Sequence, residues 1–163
     1  TAKALAAIYF GSEERIIRLD MSEYQGVDAA ERLIGSKEEG KGESVFINKV
    51  KETPFALILL DEIEKAHPKV LDLFLQVLDE ARLTDVFGRR ISFNYSLIIA
   101  TSNAGAEFIR EEVNQGIEPK TLSSKLVDFV LRQGLFKPEF LNRFDAVVVY
   151  RPLSQNERPK SLA

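Results

Sequence analysis

Residues 56–67 read ALILLDEIEKAH. Leu57, Ile58, Leu59 and Leu60 form an unbroken aliphatic run, and then Asp61 and Glu62 stand side by side. A continuous apolar run without alternation, bounded by polar residues, predicts a strand buried on both faces. Folding alone asks for turn residues after such a strand, not for two neighbouring carboxylates that repel each other. The pair therefore poses a chemical question as well as a structural one.

Working outward, Pro54 breaks the chain just before the strand. Pro68 stands where the next helix can begin, because its missing N–H costs nothing in the first turn. Val70, Leu71, Phe74, Val77, Leu78 and Ala81 then recur at helical spacing. Upstream, TAKALAAIYFG (1–11) reads as a helix stopped by Gly11, with Ala2, Leu5, Ala6 and Tyr9 on one face. RIIRLD (15–20) reads as a short strand with Ile16, Ile17 and Leu19 buried. DAAERLIG predicts a helix ended by Gly35, and VFINKVKE (45–52) another. Ser36–Ser44 between them is a charged, glycine-bearing loop.

Downstream, RLTDVFGRRISF predicts two short extended pieces joined at Gly88, and LIIATSN (97–103) a second buried strand with a polar end. Helices are expected over 106–114 and 120–133, a short one from Pro138, and a third buried strand in DAVVVYRP (145–152). Apolar strands alternating with helices predict an α/β fold, a mostly parallel sheet flanked by helices. In such sheets ligands bind beyond the carboxyl ends of the strands. Asp61 and Glu62 end one strand; Thr101, Ser102 and Asn103 end another.

Composition narrows the chemistry. The 163 residues carry a net charge of −3, so no basic balance points to nucleic acid. There is no cysteine, which excludes disulfides and thiolate metal sites, and the single histidine, His67, excludes a multi-histidine zinc site. No signal peptide and no apolar run of spanning length occurs, so no membrane partner is expected and a cytoplasmic location is. The first residues open mid-helix, as if cut from a longer chain.

Two readings of the acids compete. In one, Asp61 caps the next helix and Glu62 is solvated surface. In the other, they form half of a nucleotide-hydrolysing site, in which an apolar strand holds an Asp against Mg²⁺ and the next acid deprotonates the attacking water. Mg²⁺ takes hard oxygen ligands and keeps several waters, so one carboxylate suffices. Alternation along a strand would point successive acids in different directions, which suits two distinct jobs.

Four stretches, LILLDEIEKAHP, LQVLDEARLTDVFGR, IIATSNAG and FLNRFDAVVVYRPL, occur in one order. Together they resemble the AAA+ module of the Clp unfoldases and disaggregases (ClpA, ClpB and ClpC type), specifically the large subdomain of their second ATPase ring. The resemblance runs from Thr1 to about Glu157, leaving 158–163 as the start of a linker. It implies that Asp61 and Glu62 are the Walker B pair, with Asp61 toward Mg²⁺ and ATP and Glu62 the base. It implies that Asn103 is sensor 1, and that Arg143 is the arginine finger reaching the neighbouring subunit's nucleotide. It further implies ATP-driven unfolding or disaggregation of proteins by a ring, expected to be a hexamer, with a peptidase as a possible partner. Arg82, Arg89 and Arg90 are expected at subunit contacts or on solvated faces, and His67 at a helix start.

Two departures stand out. The phosphate-binding motif G-x-x-x-x-G-K-[ST] does not occur in these residues. Lys41, although flanked by glycines, lacks its spacing. TAKALA resembles the helix that follows that motif, so these residues alone are expected to be inactive. Relatives also carry an aromatic pore loop, typically Gly-Tyr-Val-Gly, where this chain has SKEEGKGES; the nearby Phe46 is expected in the core. The alternatives are an AAA+ motor acting on nucleic acid and a scaffold that kept the fold without the chemistry.

Overall fold

The structure, a computed structural model, describes residues 1–38 and 42–150. They fall into two compact units, the first from Thr1 to Asn103 and the second from Ala104 onward.

The first unit is built on a three-stranded parallel sheet of β1 (Ile16–Asp20), β2 (Leu57–Asp61) and β5 (Leu97–Ala100), in the order β1-β2-β5. Leu57, Ile58 and Leu60 are fully buried. Successive residues of a strand face opposite ways, so both faces of β2 are covered, as its unbroken apolar run predicts. Helix α1 (Ala2–Phe10) packs on β1 and β2 and ends at Gly11, whose left-handed backbone lets its N–H reach the carbonyl of Ala7 at 3.0 Å.

Parallel neighbours need long crossovers. The first runs through α2 (Ala29–Ile34) and α3 (Val45–Glu52). The second runs through α4 (Pro68–Glu80) and the antiparallel pair β3 (Arg82–Thr84) and β4 (Arg90–Ser92). Pro68 opens α4, and His67 caps it by accepting the Lys69 N–H on Nδ1 at 3.2 Å. Val70, Phe74 and Val77 are the buried stripe of α4, narrower than the periodicity predicts, because Leu71, Leu78 and Ala81 lie at its margins. Phe46 is 2% exposed and lies between Phe74 and Phe93, each 6.0 Å away by ring centroid, so it is core as expected.

Two expectations need correction. β5 forms, at an edge of its sheet with one strand partner among the described residues, but all four of its residues are only half-buried. Residues 145–150 form no strand, and Val148 and Tyr150 are 72% and 68% exposed. The second unit offers no strand among its described residues to pair with, and a lone strand leaves its N–H and C=O groups without partners. Arg151 and Pro152 lie outside the described residues, as does the expected linker at 158–163. Arg89 is exposed, as expected of a solvated face, and it also bonds within the chain: its Nε donates to Asp85 at 2.7 Å and its guanidinium pairs with Glu43.

The second unit carries α5 (Ala106–Asn114), α6 (Pro119–Arg132) and α7 (Pro138–Leu141). Phe108 of α5 stacks on Phe129 of α6 at 4.6 Å. Gly105, at φ +76°, starts α5 so close to α6 that an added Cβ would lie 2.5 Å from Leu126. Glycine suits both demands.

Candidate functional site

The register of the sheet places the acids. Asp20 pairs with Asp61 at the carboxyl ends of β1 and β2, and Leu60 pairs with Ala100, so Thr101 emerges beside Asp61 at the same edge. Asp20 is occupied locally: its Oδ1 accepts the Ser22 N–H at 2.9 Å and the Ser22 hydroxyl at 2.6 Å. Those hydrogen bonds, the hydroxyl's first, hold its carboxyl below the usual range.

Asp61 ends its strand with both oxygens engaged. Oδ1 accepts the Thr101 hydroxyl, and Oδ2 accepts the Arg18 guanidinium of β1. The Thr101 hydrogen bond lowers its pKa; partial burial opposes, and the Arg18 hydrogen bond and charge reinforce the lowering. Asp61 is therefore an ionised hard-oxygen donor at neutral pH and does not cap the next helix, a role that His67 fills.

Glu62 leaves the strand. Its backbone is left-handed, at φ 56° and ψ 51°, and it opens a 3₁₀ turn over Ile63–Lys65. The divergence of the two acids therefore comes from a turn and not from strand alternation. Such a backbone costs a non-glycine residue about 1–2 kcal/mol. It also swings Ile63 to 3% exposure, and burial of an isoleucine returns about 1.5–3 kcal/mol, enough to offset the strain.

The turn is stitched to the end of β5. The Glu62 N–H donates to Thr101 Oγ1 at 3.3 Å and the Ile63 N–H to the Thr101 carbonyl at 2.9 Å. Asn103 Nδ2 donates to Glu62 Oε1 at 3.3 Å, and the Asn103 N–H donates to Glu64 Oε1 at 3.0 Å. Lys65 Nζ holds Glu62 Oε2 at 2.6 Å, a contact that raises the lysine pKa.

Asp61, Glu62 and Asn103 are thus brought together. Arg143 belongs to the second unit, exposed in the turn after α7, where its N–H donates to the Phe140 carbonyl at 3.3 Å. Phe144 packs edge-on to Phe140 at 5.4 Å and fixes that turn. Lys41 lies outside the described residues. Arg18, Glu64 and Lys65 were not legible as site residues, since only strand register and the 3₁₀ turn bring them in; Thr101 carried the one available signal, a hydroxyl at a strand's carboxyl end.

No group of three acidic or histidine ligands that could cage a metal exists among the described residues. The donor chemistry fits a Mg²⁺ held by Asp61 alone with water and substrate oxygens, since the Arg18 side chain is 63% exposed and free to yield. No helix among the described residues is long and apolar enough to cross a membrane.

Comparison with known proteins agrees with this architecture. The family described as AAA domain (Cdc48 subfamily) matches residues 1–147. Chaperone protein ClpB of Meiothermus ruber is 44% identical over 162 residues, covering 96% of this chain and 18% of that protein. The chain thus spans under a fifth of that relative's length. Two structures of Saccharomyces cerevisiae Hsp104, one an ADP complex and one a casein complex in an extended conformation, superpose with TM-scores of 0.81 and 0.82. Each is 36% identical and covers 96% of this chain and 27% of that one. The mixed α/β fold with its parallel sheet is that of the large AAA+ subdomain in these neighbours.

Proposed function

We propose that this chain, which belongs to the AAA domain (Cdc48 subfamily) family, carries the water-activating half of an ATP-hydrolysing site in a Clp-type ring motor that unfolds or disaggregates proteins. The observation that carries the reading is the Thr101 hydroxyl, which joins the ionised Asp61 to the backbone of Glu62 while Asn103 touches the Glu62 carboxylate.

Glu62 takes the proton of the attacking water, and Asn103 orients that carboxylate and reads the terminal phosphate. Asp61 would hold a Mg²⁺, which would supply charge neutralisation at the phosphoryl oxygens. Arg143 acts on the nucleotide of the neighbouring subunit. Residues 1–157 form the large subdomain of a second ATPase ring, and 158–163 begin a linker. The ring is a homo-oligomer, a hexamer, with unfolded or aggregated proteins as substrate. ClpB and Hsp104, the relatives by name, support protein over nucleic acid as the polymer. The 163 residues alone turn over no ATP, because no phosphate-binding motif is among them.

The test is Glu62→Gln in the full-length ATPase, with any other ring's ATPase disabled. The amide keeps the shape but accepts no proton, so nucleotide binding persists while turnover collapses. Turnover equal to wild type would sink the assignment.

A further inference from the structure

Resting on that reading, we infer that Glu64 is a positioning residue that sets Asn103 against Glu62. Three hydrogen bonds join the 62–64 turn to residues 101–103 through backbone N–H groups. Two of them end on Thr101. The third runs the other way, from the Asn103 N–H to the side chain of Glu64, at 3.0 Å.

That third bond is made by a side chain. A carboxylate stands where a backbone carbonyl would serve, and its second oxygen, Oε2, is buried with no hydrogen-bond partner. A buried, half-satisfied acceptor is unfavourable, and native chains keep few of them. The return is geometric. A charge-assisted bond is shorter and about twice as strong as a neutral one, so it fixes the Asn103 backbone firmly. Asn103 reaches Glu62 through Nδ2 at 3.3 Å, a long hydrogen bond that a small shift of its backbone breaks. Glu64 touches neither substrate nor the reacting atoms in this role; it acts through Asn103.

Three substitutions separate acceptor, charge and reach. Glu64→Gln keeps an oxygen for the Asn103 N–H, Glu64→Asp keeps the charge but withdraws it by one methylene, and Glu64→Ala removes both. Amide exchange in the 163-residue chain reads the bond directly. Exchange at Asn103 should rise about tenfold or more in the Ala and Asp variants, while the Ile58 and Leu60 amides of β2 stay protected. In the full-length ATPase the same two variants should lose about ten- to a hundredfold in kcat, with KM for ATP within about twofold of wild type. Glu64→Gln, which keeps the acceptor but not the charge, should recover most of both readouts, and should do so even if Glu64→Ala fails to fold. The inference is overturned if Asn103 exchange is unchanged in the Ala and Asp variants. It is equally overturned if Gln behaves like Ala, or if the Ile58 and Leu60 amides lose protection as much as Asn103. Failure of the ATPase reading looks different: Glu62→Gln would leave turnover intact, whatever the exchange at Asn103.

Discussion

The Thr101 hydroxyl donates to Oδ1 of Asp61 across the paired ends of β5 and β2. Thr101 Oγ1 also accepts the Glu62 N–H, so one side chain ties both acids to the neighbouring strand. Thr101→Val keeps the shape and removes both side-chain contacts, leaving the Glu62 turn held by the Ile63 and Asn103 hydrogen bonds alone. On the proposed reading, ATP turnover by the full-length protein should fall about a hundredfold, the cost of a small misplacement of a catalytic group. Thr101→Ser should keep most of it. Steady-state ATPase rates of the two variants, side by side, decide the point.

The left-handed backbone of Glu62 predicts a trade of stability for chemistry. Glycine adopts φ 56° freely, whereas a β-branched residue there is a true outlier. Glu62→Gly should therefore raise the unfolding free energy of the chain by up to about 1 kcal/mol, and Glu62→Val should lower it by about 1–2 kcal/mol. Denaturant titrations of both variants provide the check. Greater loss in the glycine variant than in the valine variant would count against the strain.

Acid stability should depend on Asp85. Its side chain is buried, accepts the N–H groups of Phe87 and Arg89 on Oδ1 at 3.0 and 2.8 Å, and meets Arg89 Nε on Oδ2. Burial opposes its charge, but the Arg89 and Phe87 hydrogen bonds win and hold its carboxyl below the ordinary value. A carboxyl lowered by folding contributes stability that is fully present above its unfolded value of about 3.9 and is lost as pH falls through the folded one. Asp85→Asn should therefore cost about 1–3 kcal/mol at pH 7, and the gap to wild type should close as pH drops below about 4. Unfolding curves stepped from pH 7 to pH 2 measure it, and a gap that ignores pH would contradict the assignment.

On the proposed reading, Arg143 is the residue that distinguishes a ring motor from a self-contained ATPase. A guanidinium delivered to the neighbour's phosphoryl group is worth about 10³–10⁵ in rate. Arg143→Ala in the full-length protein should cut turnover severely while each subunit still binds ATP. Mixing Arg143→Ala subunits with Glu62→Gln subunits rebuilds some interfaces with both residues intact, so activity should rise above the sum of the two variants alone. The readout is ATPase rate against mixing ratio, in rings shown to be mixed. A strictly additive result removes the finger from this position.

Much of the frame is written locally. Leu57–Leu60 announce a doubly buried strand, Pro68 the start of α4, and the Gly11 and Gly35 positions the ends of α1 and α2, because these signals depend on a few adjacent residues. The order of the Asp61–Glu62, Asn103 and Arg143 motifs was also legible, and with it the family. The tail at 145–150 misled for a reason in the same physics: an apolar run advertises burial, but a strand exists only where another strand receives its hydrogen bonds.

What the sequence determined by itself is therefore the periodicities, the stops and the residue types at the strand ends, all of them short-range. The tertiary structure alone decided that Asp61 meets Thr101 and Arg18, that Glu62 turns left-handed while Ile63 goes inside, and that Glu64 takes the Asn103 N–H. These contacts join residues some forty positions apart in the chain. Strand register sets them, and register is a property of the whole packed sheet that no single stretch contains.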